Sequence, residues 1–260
     1  MEKTTFEPVS GVDLALCRAS LYEALSLGFC GPTAETVHRL GSPAGILALA
    51  DAGVYVDSAL GDLISGLGGN GTNLESLGTN HRILFGHTVR GAVPPYETEY
   101  GVDGLFLQPQ EMSDIGGFMQ AFGLEINPQG HQRIDHISCE CELLSFLCHK
   151  EAYALERNED LMLEETRRAQ QLFLKDHLGR FGPAFGRRVF REDPDGFYGT
   201  MGELCAEFIE GECRRMSIPV GPDDLQLRSA LPDNVPMACG GAEVEPDLID
   251  IEGANEFQTP

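Results

Sequence analysis

Cys139 and Cys141, with His136 and His149 close by, place four metal-ligating side chains in one short stretch of the sequence. On a helix, residues two apart point about 200° away from each other, so the two thiols cannot chelate one ion. His136 and Glu140 are four apart and could share an ion, but two ligands are too few to hold it. Glu35-Thr36-Val37-His38 is one ExxH half-motif, whereas a di-iron bundle needs two of these and two further glutamates. Gly66-Leu67-Gly68-Gly69-Asn70-Gly71 matches GxGxxG letter for letter. The dinucleotide fingerprint requires a buried strand before it, and Ser58–Ser65 reads instead as helix, so a helix–helix turn is expected. GxSxG, P-loop and catalytic-cysteine contexts are absent from the sequence. The expectation is a protein that binds rather than catalyses, with no metal and no cofactor.

Two groupings suit binding. Pro94-Pro95-Tyr96-Glu97, with Tyr100 after it, combines consecutive prolines that stiffen the backbone and an aromatic ring with a polar tip. Such a ledge loses little entropy on binding, and Glu97 supplies a charge suited to a guanidinium. The same prolines could serve only as a rigid turn. Asp135-His136 opens the most apolar helical stretch. Asp135 there has the chemistry of a helix cap, and His136 in the first turn would be neutral or partly exposed and able to meet a ligand.

The elements that must position these residues read as helices. Apolar residues at Leu14, Cys17, Leu21, Leu25 and Phe29 recur every three or four positions, and Gly31-Pro32 ends that run. Further helices are expected at about 33–40, 43–56, 57–71 and 73–85. Residues 86–110 hold Gly86, Gly91, Pro94, Pro95, Gly101, Gly104 and Pro109 and are expected as a long loop with at most one helical turn at 97–100. Helices resume at 111–124, from 135, at 159–181, 183–189 and 197–216. No alternating run is long enough for a strand. The fold class is therefore all-α, a single globular bundle over 1–217, followed by a tail at 218–260 with nine acids and one arginine, expected to be irregular and poorly ordered.

The 260 residues carry 18 Lys+Arg against 41 Asp+Glu, a formal net charge of -23. That field repels phosphate backbones and anionic membranes and attracts basic peptides, so nucleic acid is not an expected partner. The eight cysteines include no CxxC pair and several sit in apolar helical stretches, as free buried thiols do. The first residues show no basic region leading into an apolar core, and the apolar run at 14–30 contains Arg18 and Glu23, so neither a secretory leader nor a membrane span is expected. A reducing, cytoplasmic setting follows.

In order and spacing, Leu84-Phe85, Pro94-Pro95-Tyr96-Glu97-Thr98-Glu99-Tyr100, Asp135-His136 and Phe173-Leu174-Lys175-Asp176-His177-Leu178 resemble the TorD/DmsD/NarJ chaperones over about residues 12–216. The resemblance implies a TorD-like helical bundle in the cytoplasm. It implies binding of the twin-arginine signal peptide and apo-form of a molybdopterin enzyme catalytic subunit, assisting cofactor insertion and holding back export. It maps peptide binding onto Pro94, Pro95, Tyr96, Glu97, Asp135 and His136, with Tyr100 beside them. Many members carry tryptophan where Tyr96 stands, and often Glu-Pro where Gln132-Arg133 stand. The tyrosine form and the length look most like the branch serving type II dimethyl sulfoxide reductase family enzymes. Two other readings fit the residues: a small helical metal-dependent enzyme using 136–149, and an acidic assembly subunit retained in a redox complex.

Overall fold

The computed structural model describes residues 10–69, 73–86, 90–102, 107–125 and 133–229. Polar side chains start several of its helices. Thr33 and Thr36 form a reciprocal capping box before α2 (Ala34–Thr36), which runs on into a π-turn at Val37–Gly41. Ser42 accepts from the Gly45 amide at 3.2 Å with Pro43 in the first turn, opening α3 (Pro43–Val56). Asp57 caps α4 (Ser58–Ser65) and Asn73 caps α5 (Leu74–Phe85) in the same way. Between these two, Gly66–Gly69 form a 3-10 turn directly after a helix, and Asn70 and Gly71 of the glycine motif lie outside the described residues.

The remaining helices are α1 (Gly11–Phe29), α6 (Leu107–Ala121), α7 (Ile137–Arg157), α8 (Asp160–Asp176), α9 (Leu178–Glu192) and α10 (Phe197–Arg215). The described residues contain no strand, only three isolated bridges, and the all-α expectation holds. Helix α1 lies along α7, α9 along α10, and α3 against α4. Phe29 and Phe185 meet edge-on with ring centroids 5.0 Å apart, as do Phe85 and Tyr198 at 5.4 Å, while Phe85 and Phe185 stack at 6.1 Å. Behind this apolar core, Arg18 of α1 is buried among charges. It pairs with Glu151 of α7 at 2.8 Å and Glu212 of α10 at 2.6 Å, and donates to Gln170 of α8 at 2.6 Å. One guanidinium therefore joins four helices.

Three boundaries differ from the sequence expectation. Helix α6 begins at Leu107, so the loop after α5 is shorter than 86–110; Pro109 falls in the first turn, where its missing amide proton costs no helical bond. The break expected between Phe181 and Pro183 falls instead at His177, whose φ of -127° and ψ of -100° are not helical. Pro183 sits inside α9 and leaves the Gly179 carbonyl without its helical donor, and the Gly221 amide takes that place at 3.0 Å. A side chain at 221 would collide with the Arg180 carbonyl, so glycine is needed for the approach. The third difference concerns residues 218–228, grouped by composition with the acidic tail. Contacts divide the chain into Met1–Arg228 and Ser229–Pro260, eleven residues beyond the 217/218 boundary expected. Ile218 is buried, the Gly101 amide donates to the Gln226 carbonyl at 2.8 Å, and Tyr100 bridges Leu227. All tail residues from 230 lie outside the described residues.

Candidate functional site

The loop before α6 and the start of α7 meet as a short antiparallel clamp. Tyr96 pairs with His136, the Glu97 amide donates to the Asp135 carbonyl at 2.9 Å, and the Ile137 amide donates to the Pro95 carbonyl at 2.9 Å. The last bond satisfies one of the free amides that every helix start leaves over. Proline at 94 and 95 suits this geometry, because both residues contribute carbonyls and neither is asked for an amide: Pro94 accepts from the Tyr100 hydroxyl at 2.8 Å. Glu97–Glu99 then form a single 3-10 turn. The two segments singled out in the sequence are thus brought together.

Their side chains are placed differently from the exposed ledge expected. Pro94, Pro95, Glu97, Tyr100, Asp135 and His136 are all buried, and Tyr96 alone of the seven is half-exposed. The Glu97 carboxylate is fully buried and held inside the chain, with Arg180 donating to it at 2.7 Å and His177 Nδ1 3.1 Å away. It is not free to meet an incoming cation. Asp135 does not cap α7; His136 does, its Nδ1 accepting from the Ser138 amide at 3.1 Å. Asp135 instead accepts from the Thr98 hydroxyl at 2.7 Å and the Thr98 amide at 3.3 Å, fixing the 3-10 turn. Burial, with smaller contributions from the neighbouring His81 imidazole and the Arg133 guanidinium, pushes the His136 imidazole down to about 3, so it is neutral and its Nδ1 remains an acceptor.

Several residues of the site were not legible in the sequence. Glu140, one turn into α7, is fully buried, and neither carboxyl oxygen has a hydrogen-bond partner of ordinary geometry. Burial first, then the Glu97 and Asp135 carboxylates beside it, raise it well above the usual carboxylate range. Arg133 lays its guanidinium over the Tyr96 ring, 4.4 Å from the centroid. Arg228 donates to the Thr98 carbonyl at 2.8 Å and pairs with Glu111 at 2.9 Å, so the segment after α10 holds the 3-10 turn. His177 had a signal, since it lies in the Phe173–Leu178 segment that carries the resemblance; Glu140 stood out only as a possible ion ligand beside His136 and Arg133 only as a departure from Glu-Pro, while Arg228 looks like an ordinary charged residue until folded.

A cleft of about 540 Å³ opens beside Glu97's partners His177 and Arg180, lined also by Glu111, Asp114 and Phe118 of α6. A larger cleft of about 910 Å³ lies elsewhere, between α1, α8 and the end of α10. It shares no residue with the clamp. The Cys139 thiol is half-buried and raised to about 11 by burial, and Cys141 is fully buried. Among the described residues no group of three His, Cys, Asp or Glu side chains is arranged to hold a metal ion, and no helix is long and apolar enough to cross a membrane.

The profile of the nitrate reductase delta subunit family matches residues 55–187, a stretch that includes the clamp, both sides of the 540 Å³ cleft and most of α9. The selenate reductase assembly chaperone of Thauera selenatis is 29% identical over 118 residues, covering 45% of this chain and 56% of its own. The perchlorate reductase assembly chaperone of Dechloromonas aromatica (strain RCB) is 28% identical over 109 residues, 42% of this chain and 48% of its own. Chaperone protein TorD of Vibrio cholerae serotype O1 (strain M66-2) is 27% identical over 127 residues, 49% of this chain and 56% of its own. The chain spans about half the length of these curated relatives.

Proposed function

Because the chain belongs to the nitrate reductase delta subunit family, we propose that it is a cytoplasmic chaperone of molybdoenzyme maturation. On this reading it binds the twin-arginine signal peptide and the apo-form of a molybdopterin-containing catalytic subunit, assists cofactor insertion and holds back export. The mechanism is masking, with no chemical step. The observation that carries the reading is the clamp itself: the loop at 94–100 and the start of α7 form one hydrogen-bonded unit with Tyr96 at its surface. The buried members, Pro94, Pro95, Glu97, Tyr100, Asp135 and His136, set the backbone that presents Tyr96, and the adjoining cleft offers Asp114, Asp176 and Phe118.

A twin-arginine leader supplies two guanidinium groups followed by an apolar stretch. Acidic side chains beside aromatic rings suit the first, and the apolar floor of the cleft suits the second. The net charge of -23 draws such a cationic peptide in. The names of the selenate and perchlorate relatives support a client in the type II dimethyl sulfoxide reductase branch.

Calorimetric titration with synthetic twin-arginine leaders tests the reading. Binding is expected at micromolar strength or tighter, weakening with salt, and Tyr96→Ala is expected to lose about tenfold, the usual effect of removing an aromatic contact residue. A panel of leaders that shows no binding at low salt would overturn it.

A further inference from the structure

The backbone bonds that close the clamp do not involve the Arg133 side chain, yet that side chain is more completely engaged than any other exposed group nearby. Its guanidinium lies over the Tyr96 ring at 4.4 Å. Nε donates to Asp135 Oδ1 at 3.1 Å and one terminal nitrogen to Asp135 Oδ2 at 2.7 Å, a two-pronged pairing. The same nitrogen donates to the Thr98 hydroxyl at 2.7 Å, and the other lies 3.8 Å from Glu99. An aromatic face, a forked carboxylate, a hydroxyl and a second carboxylate together fit a planar guanidinium and fit an ammonium poorly. The side chain filling this seat is 41% exposed and comes from only two residues before Asp135. The carboxylate is fully buried while the guanidinium reaches solvent, so an arriving guanidinium meets the pair from the Arg133 side.

We propose that Arg133 is a resident stand-in for a partner's arginine: it fills a guanidinium seat formed by Tyr96, Thr98, Glu99 and Asp135, and an arginine arriving from outside displaces it. This rests on the chaperone reading for the identity of the partner, but not for the existence of the seat. Self-occupation keeps Asp135 covered in the absence of a partner, and it sets a threshold that weakly binding cations do not cross. An arginine in the right place replaces every contact that Arg133 gives up, whereas a lysine replaces only the charge. The seat therefore selects arginine over lysine in the peptide.

The test uses Arg133→Ala and, because that variant loses packing over Tyr96, Arg133→Met as a second that retains an apolar stem. The first probe is ethylguanidinium at tens of millimolar, with ethylammonium at the same ionic strength as control. Ethylguanidinium is expected to raise the thermal midpoint of both variants by a few degrees and to leave the wild-type protein unchanged. The second probe is a peptide with two consecutive arginines beside its double-lysine version. The variants are expected to bind the arginine peptide about tenfold tighter than wild type, the gain if the seat stands open about one time in ten, with no gain for the lysine peptide. If ethylguanidinium stabilises neither variant, or if the variants bind the arginine peptide more weakly than wild type, the inference is overturned. Stabilisation by ethylguanidinium with no peptide binding by any of the three proteins supports the seat and removes the chaperone reading.

Discussion

His136 caps α7 and Glu140 lies one turn into it, and burial shifts both toward the uncharged form, with opposite consequences for stability. The folded-state value of His136, about 3, lies below its unfolded value of about 6.5, so unfolded chains take up the proton first as pH falls. Its contribution is complete above about pH 6.5 and is lost as pH falls toward 3. Glu140 is raised above its unfolded value of about 4.3, so its contribution is complete below that pH and is lost as pH rises through the folded value. Between about pH 4.3 and 6.5 the two slopes oppose each other. Urea midpoints measured across pH are therefore expected to decline on the alkaline side in wild type, and Glu140→Gln is expected to flatten that decline while matching wild type near pH 4. Parallel curves for the two proteins above pH 7 would show Glu140 to be ionised in the fold. The His136 ring proton, followed by NMR, is expected not to titrate between pH 8 and 5; a midpoint near 6.5 would refute its burial as an N-cap.

At the scale of elements, Arg18 shows what a single internal charge does for helix packing. Arg18→Ala removes the buried cation that Glu151, Glu212 and Gln170 share, leaving the two buried carboxylates only their outer ion-pair partners Arg167 and Arg215, which are partly exposed. The expected loss is about 3–5 kcal/mol, the range for breaking a buried ion pair from one side. Equilibrium unfolding checks it, and a loss below about 1 kcal/mol would mean that water or neighbouring groups replace the arginine. The elements themselves were readable where local chemistry settles them: the Ser42-Pro43 opening, the stop at Gly31-Pro32, and the single turn at Glu97–Glu99. Elsewhere the deciding contact lies far along the chain. Pro183 reads as a helix breaker because nothing local reveals the Gly221 amide that relieves it. Glu97 reads as a surface acid because His177 and Arg180 stand 80 and 83 residues away in sequence. Pattern predicted the helices, and the family resemblance assigned both site segments to one binding region; their pairing and their burial needed the folded chain.

At the scale of the whole molecule, the net charge of -23 and the segment after α10 act in different ways. The charge is diffuse and acts on encounter, so association with a cationic peptide is expected to slow with ionic strength more than dissociation changes. The segment acts by contact. A chain ending at Arg228 keeps Ile218, the Gly221 bond to Gly179, the Leu227 bridge to Tyr100 and the Arg228 pair with Glu111, whereas a chain ending at Ser217 loses all of them. The shorter chain is expected to unfold at a lower urea concentration and to lose protection of the Gly101 amide in hydrogen exchange; equal midpoints for the two would show the segment to be dispensable.

Arg228 reaches back 130 residues to the Thr98 carbonyl, and this has a consequence for the order of events during synthesis. Helices α1 to α5 can form as they leave the ribosome, since their bonds are local. The turn that carries Tyr96 gains its last support only after Arg228 has been made. The surface proposed to meet a partner is therefore completed late, and a chain translated only as far as α10 presents it unfinished.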